Sequence, residues 1–444
     1  MNCCGAENSD DDGDYEPSGS GSGSDSDNDS EKDDARKRLA VQEELPAVRA
    51  LMLPMICIFG GYASMVGPAQ QKFKSELRIG QTGEAAMIFT QAAVFVHYGK
   101  LIARLGHDVL FGFLSPLKRV YFSMSLVLIG TLIPPLFVFD LHERWIGFVF
   151  FSNGLTGIGL GVFECTYLAV ITPLGKLTKA WAIMGIPLGF GIVNILGLIC
   201  TSMGMPVAYI YWYIVATIPL GMYALWANSA GLDTSVEVAH GHGHGAGVKQ
   251  RGFLSSLMQC GMWFPLVMPH LVAKLCVNFV MENATPVNYY VYNAPKVPLW
   301  SPKNVDGLVR HDLFFAVLGV FVMVGDMTSR RIPASLSLNT VSSNIAILIA
   351  AVTSSLLGFY LESLAIGVLA WAGIFMAFWG NGLVYGASAK YFDWAVPKEF
   401  NLVAYSLWCF AGDLGGIVGG VTVDLIRNWI CGGRQYTYEC LSHN

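Results

Sequence analysis

Gly159-Leu-Gly-Val-Phe-Glu164-Cys-Thr-Tyr-Leu-Ala-Val170 lies inside a run from Ile146 to Leu174 that carries no charge other than Glu164. A carboxylate in such a run has no water unless the protein provides it. Burying it ionised in hydrocarbon costs several kcal/mol at least, so residues of this kind face a bundle interior or a wet cavity. The fold therefore follows from whether the rest of the chain supplies a membrane, a bundle and a cavity.

Composition supplies the membrane. Hydrophobic residues make up 53% of the chain and charged residues 13%, with a mean hydropathy of +0.49. A soluble protein carries about 25% charged residues. The charge is also unevenly placed. Residues 1–34 hold 12 acidic and one basic residue, while the remaining 410 hold 20 acidic and 26 basic. The first 45 residues read as a disordered, acidic cytosolic tail, too polar to bury a core. They have neither the basic start nor the apolar core of a secretory signal. Cys3 and Cys4 are candidates for palmitoylation or for plain free thiols.

Apolar runs of about 18 residues or more fall at 47–67, 83–103, 119–139, 146–170, 180–202, 206–226, 254–275, 311–327, 335–357, 363–385 and 400–424. The expectation is an all-α polytopic membrane protein of about eleven transmembrane helices. The segment 276–300, apolar and Pro-rich, is a candidate broken or re-entrant piece. With the N-terminus in the cytosol, 17 Lys and Arg fall on the cytosolic side and nine on the other, the bias of a cytosolic N-terminus. Cys431 and Cys440 would then sit in an oxidising compartment and could pair. Asn283-Ala-Thr285 fits a glycosylation acceptor on the same side.

The longest polar break, 227–252, holds His240-Gly-His242-Gly-His244 and reads as a cytosolic linker more readily than as a metal site. It separates a six-helix bundle (46–226) from a five-helix bundle (253–426), with a luminal tail over 427–444. Six spans, a linker and five spans resemble the two halves of a secondary transporter, which rock about a central site. Glycines 154, 157, 159 and 161 before Glu164, and 185, 189 and 191 in the next span, suit close helix packing in lipid. Pro187 would free a backbone carbonyl of the fifth span.

Other ionisable residues lie at membrane depth. Lys100 ends the second span, in a Gly99-to-Gly106 stretch similar to the loop signature of major facilitator transporters, except that Ala103 replaces an acid. Asp326 and Arg330 are four apart and share a helix face. Asp413 lies inside the last span, and Lys274 and Glu282 flank the unusual region after the seventh. Snorkelling to the interface accounts for Lys100, Lys274 and Arg330 more readily than function does. Glu164 and Asp413 are the stronger functional candidates. His97 and His270 lie within spans without an obvious partner. No phosphate loop, nucleophile elbow, His-Glu-x-x-His or Cys-x-x-Cys is present, so no enzyme, cofactor, metal or nucleic-acid role is expected.

Several segments together resemble the battenin family of lysosomal and vacuolar membrane proteins. Tyr62-Ala-Ser-Met65 is similar to that family's Tyr-Val-Val-Met, and Glu164-Cys-Thr-Tyr-Leu168 to its Glu-Val-Thr-Phe-Leu. Arg310, Gly319-Val-Phe321 and Ser329-Arg330 are similar to its Arg…Gly-Val-Phe…Ser-Arg, and Glu399-Phe400 with Asp413-Leu-Gly-Gly-Ile417 to its last-span pattern. Phe59-Gly60 replaces the family's paired asparagines. Equilibrative nucleoside transporters are a second resemblance, through Asp326-Met-Thr-Ser-Arg330 and Asn381-Gly382.

The battenin resemblance implies a major-facilitator-like two-bundle protein of a lysosomal or vacuolar membrane. It would handle glycerophosphodiesters or basic amino acids and contribute to luminal pH homeostasis. The nucleoside-transporter resemblance implies a plasma-membrane carrier instead. The candidate substrate- or proton-binding residues are Glu164, Asp413, Tyr62, Lys100, Arg310, Asp326 and Arg330, the partners a bilayer, a small-molecule substrate and coupling protons. The alternative from another class is a membrane scaffold whose acidic tail recruits cytosolic partners.

Overall fold

The structure is a computed structural model. It describes residues 48–229 and 260–432, apart from 67–68, 81–82, 112, 172–173, 175, 293, 302–306, 337, 339 and 398–399. The acidic tail with Cys3 and Cys4, the His240–His244 tract, Glu399 and Cys440 lie outside the described residues.

Among the described residues eleven apolar helices account for the hydrophobic runs: α1 (Met52–Val66), α2 (Glu84–Phe111), α3 (Pro116–Ile133), α4 (Gly147–Ile171), α5 (Lys176–Gly191), α6 (Ala208–Ala227), α7 (Cys260–Val291), α8 (His311–Ser335), α9 (Val341–Ser363), α10 (Gly367–Ala395) and α11 (Asn401–Gly432). Among the described residues ten of these are long and apolar enough to cross a membrane, and the apolar stretch at α1, Arg49–Met65, is shorter. Helix α5 continues through a π-helical stretch, Ile192–Leu196, into Gly197–Ser202, so its apolar length reaches 26 residues. Large apolar side chains remain exposed on outer faces, among them Ile102, Leu220, Ile349 and Leu425. That arrangement is stable against lipid tails and costly against water.

Several boundaries differ from the hydropathy reading. Among the described residues no re-entrant piece follows the seventh span. Instead α7 runs unbroken through Pro265, Pro269 and Pro286 to Val291. Helices α8 and α11 extend past the expected 327 and 424. The hydropathy reading ends the eighth span before Arg330, yet Arg330 lies inside α8, buried like Asp326 one turn earlier. Asn283 is fully buried within α7 and bonds to Phe279 O and Thr422, so it is no glycosylation acceptor. The loop between α7 and α8 carries a small antiparallel hairpin, β1 (Lys296–Pro298) and β2 (Leu308–Arg310).

The packing repeats with an offset of six helices. In the first half α1 packs on α5, and α2 and α3 pack on α4. In the second half α7 packs on α11, and α8 and α9 pack on α10. The halves meet where α2 lies against α11 and α5 against α8. Two glycines set equivalent crossings. A Cβ at Gly161 of α4 would sit 2.6 Å from the carbonyl oxygen of Lys100 on α2. One at Gly382 of α10 would sit 2.5 Å from the carbonyl oxygen of Asp326 on α8. Each glycine thus brings a charged residue of the neighbouring helix against its own, as small-residue contacts do in lipid.

Candidate functional site

The two crossings converge on a cavity of about 150 Å³ between the halves. Its charged lining is Lys100, Arg104, Glu164, Lys274, Glu282, Asp326, Arg330 and Asp413, four cations and four anions. An ion in the bundle interior is tolerated only where partners replace its lost hydration, so each must be accounted for.

Arg104 is the hub of the first group. Its guanidinium donates to Glu164 Oε2 at 2.7 Å and contacts Asp413 Oδ2 through Nε, while Lys100 Nζ lies 2.9 Å from Asp413 Oδ1. Glu164 also accepts from the Tyr385 hydroxyl at 3.2 Å. Lys100 and Arg104 come from α2, Glu164 from α4, Asp413 from α11 and Tyr385 from α10. The cluster therefore ties the two halves together. Lys100 also sits over the ring of Tyr62, 4.9 Å from its centroid.

The second group is nearly self-contained. Arg330 grips Asp326 with two hydrogen bonds, Nε to Oδ1 at 3.0 Å and a terminal nitrogen to Oδ2 at 2.8 Å, both within α8. Asn381 of α10 donates to Asp326 Oδ1 at 3.1 Å and accepts from Lys274 Nζ at 3.1 Å. Arg330 stacks 4.2 Å above the Tyr385 ring, and one weaker bond (3.4 Å) reaches Ile183 O of α5.

Lys274 differs from the other three cations. Its ammonium is held by the Asn381 amide oxygen and lies over the rings of Tyr385 and Trp408, at 5.4 and 4.9 Å. Among the described residues no carboxylate comes within 4.0 Å of it. Glu282, two turns along the same helix, has the opposite character. Its ion-pair contact is His97 Nε2 at 3.4 Å, and that nitrogen is also 3.4 Å from the Tyr62 hydroxyl. Glu282 faces a second, smaller cavity of about 60 Å³ as well, lined also by Lys74, Phe89 and His97.

Six of the seven residues expected from sequence, Glu164, Asp413, Tyr62, Lys100, Asp326 and Arg330, line the central cavity. Arg310 does not. It is exposed on β2, where it pairs with Lys296 and reaches Ser202 O at 3.4 Å. Lys100, Lys274 and Arg330 do not snorkel, because all three reach inward to partners. Both intramembrane histidines have partners: His97 as above, and His270 through Ser388 Oγ at 2.9 Å and a stack on Tyr391.

Arg104, Asn278 and Tyr385 line the cavity as well, though nothing in the sequence marks them singly as site residues, and so do Lys274 and Glu282, which stand out in sequence only as ionisable residues at membrane depth. The available signal was spacing: Lys100–Arg104, Asp326–Arg330 and Lys274–Asn278–Glu282 each recur at four residues on one helix face. The third series is legible only once α7 is known to continue past the expected end at residue 275.

No protein-family model matches this sequence, and no curated protein matches it. Solved structures do. A POT family transporter in complex with 5-aminolevulinic acid matches at a TM-score of 0.55 and 13% identity, over 85% of this chain and 90% of the other. The peptide transporter POT in complex with sulfate matches at 0.56 and 12%, over 87% and 91%. The major facilitator superfamily transporter FucP, in its outward conformation, matches at 0.55 and 15%, over 87% and 92%. The chain has the major facilitator fold. Identities this low carry the fold and no more. Within it the α2–α11 and α5–α8 seams enclose a cavity where the two halves face each other.

Proposed function

We propose that this chain is a transporter of small polar metabolites, working by alternating access of its two halves about the central cavity. The observation that carries the proposal is the Arg104 cluster. It places buried charge across the seam between the halves, where alternate opening would have to break it. Solutes of the class implied by the battenin resemblance, glycerophosphodiesters or basic amino acids, suit a cavity lined by four cations and four anions. The solved transporters of this fold that hold 5-aminolevulinic acid or a conjugated peptide lend the same reading support. A lysosomal or vacuolar membrane and a cytosolic N-terminus complete it.

Glu164 and Asp413 are the proposed proton-responsive groups. Protonating either removes one of the two anions that hold Arg104, and neutralising Asp413 also releases the α11 side of the seam. A population shift between inward- and outward-open states then follows from a local charge change. Glu164→Gln keeps the shape and the Tyr385 contact. It should express and traffic normally while losing the pH dependence of transport. Transport with an unchanged pH profile would defeat the proposed role of Glu164.

A second reading, a nucleoside carrier, is favoured by one observation. The Asp326–Arg330 pair and Asn381, which carry that resemblance, are directly hydrogen-bonded in the cavity wall. Uptake into reconstituted vesicles, comparing uridine with glycerophosphodiesters and basic amino acids, separates the two. Removing residues 1–40 addresses the scaffold alternative, because a transporter should keep its flux without the tail.

A further inference from the structure

We propose that the central cavity recognises a zwitterionic solute, with its anionic group on Lys274 and its cationic group at Glu282. The inference rests on the transport reading and narrows it to a charge pattern. It comes from closing the charge account of the cavity. Lys100 and Arg104 are taken by Asp413 and Glu164, and Arg330 is taken twice over by Asp326. The remaining cation is Lys274, 8% exposed, held by an amide oxygen and two aromatic faces but by no carboxylate within reach. The remaining anion is Glu282, whose ion-pair contact is a histidine that is charged only if protonated.

An amide and two ring faces orient an ammonium without cancelling its charge. A lysine left in this condition inside a bundle is destabilising for the empty protein, and a bound anion relieves it. At the other end, Glu282 is the most exposed carboxylate of the four, its side chain 24% accessible. Asn278 stands between them on the same face. Its Nδ2 donates to Gly412 O at 2.9 Å, and its buried Oδ1 has no hydrogen-bond partner among the described residues. From Lys274 to Glu282 is eight residues, roughly 12 Å along the helix axis at about 1.5 Å per residue. The arrangement fits one molecule bearing both charges better than two separate ions. Both a phosphodiester with an amine and a carboxylate with an amine satisfy it.

The test uses the full chain in proteoliposomes with five probes: glycerophosphocholine and L-lysine as the two kinds of zwitterion, glycerol phosphate, choline and uridine. Wild type should take up at least one zwitterion faster than any of the other three probes. Lys274→Met should lower that uptake about tenfold or more, the loss of one charge-assisted contact, and Lys274→Arg should retain most of it. Glu282→Gln should lower it as well. The empty Lys274→Met protein should melt no lower than wild type, because it loses an uncancelled charge rather than an ion pair.

Which zwitterion is taken up distinguishes the phosphodiester source from the carboxylate source, and either supports the proposal. Zwitterion uptake unchanged in Lys274→Met, a lower melting temperature for that variant, or preference for choline, glycerol phosphate or uridine would each overturn it while leaving transport standing. Uptake of none of the five would overturn the transport reading and the inference with it.

Discussion

Arg104 and Arg330 occupy corresponding places in the two halves, one on α2 beside α4 and the other on α8 beside α10, yet they are neutralised in different ways. Arg330 finds its carboxylate one turn back on its own helix, and Asn381 of the same half locks that carboxylate in place. Arg104 has another cation, Lys100, at the equivalent position one turn back. It must borrow Glu164 from α4 and Asp413 from α11. An ion pair closed within one half moves with that half as a rigid piece. A cluster closed across the seam acts as a latch, because separating the halves exposes charges that then need water or solute. The repeat in packing thus carries two different electrostatic designs.

The largest effect expected is for Arg104→Met, which strips Glu164 of its guanidinium partner and leaves Asp413 with Lys100 alone. Breaking a buried pair by removing one partner costs about 3–5 kcal/mol, so the purified protein should melt many degrees lower. A melting temperature within a degree of wild type would show that Arg104 holds no buried latch.

A pair of carboxamide variants sharpens the comparison. Asp326→Asn leaves Arg330 without its carboxylate and should cost about 3 kcal/mol. It should leave the seam shut, so labelling of the cavity cysteine Cys409 by a small thiol reagent should not change. Asp413→Asn keeps the Arg104–Glu164 bond and should cost less, about 1–2 kcal/mol, but labelling of Cys409 should rise. Peptide-level mass spectrometry reads that site alone. Equal labelling in the two variants would remove the distinction between rigid piece and latch.

The smallest effect concerns Lys74, on the short helix Ala69–Glu76 between α1 and α2. Burial lowers its pKa to about 8, the neighbouring charge of Arg427 adds to the shift, and Asp424 opposes it. Below pH 8 the ammonium is protonated in both folded and unfolded chains, and its burial penalty is present in full. Between about pH 8 and 10.5 the unfolded chain holds the proton that the folded one has lost. Stability from this group therefore rises with pH across that interval, by about 2–3 kcal/mol. The difference in melting temperature between wild type and Lys74→Met should change with the same sign. A difference that is flat from pH 8 to 10 would contradict it.

Much of the helix inventory was legible because a membrane span is a local property. Twenty apolar residues announce themselves wherever they stand, and Glu164 was conspicuous against that background. Misreadings arose where local rules give the wrong sign. Lys274 and Arg330 looked like interfacial residues because a long basic side chain near a span end usually reaches for water. Here one tyrosine, Tyr385, lies against both, Trp408 and Asn381 hold Lys274, and Asp326 of its own helix holds Arg330. Arg310 looked equivalent to Arg330 in sequence, but a two-strand hairpin carries it away from the cavity. The stretch 276–300 looked broken because prolines usually end helices, whereas α7 continues through Pro286 to Val291 before the chain leaves it for the hairpin.

The sequence by itself determined that this chain enters a bilayer, about how many times, and that at least two carboxylates go in with it. Hydrophobicity acts over consecutive residues, so it can be read from them. Which cation meets which carboxylate, which pair stays within one half, and which lysine is left without an anion were decided only by tertiary structure. Those partners lie on different helices, as far as 309 residues apart for Arg104 and Asp413. Only packing at the small-residue crossings brings them within a few ångströms.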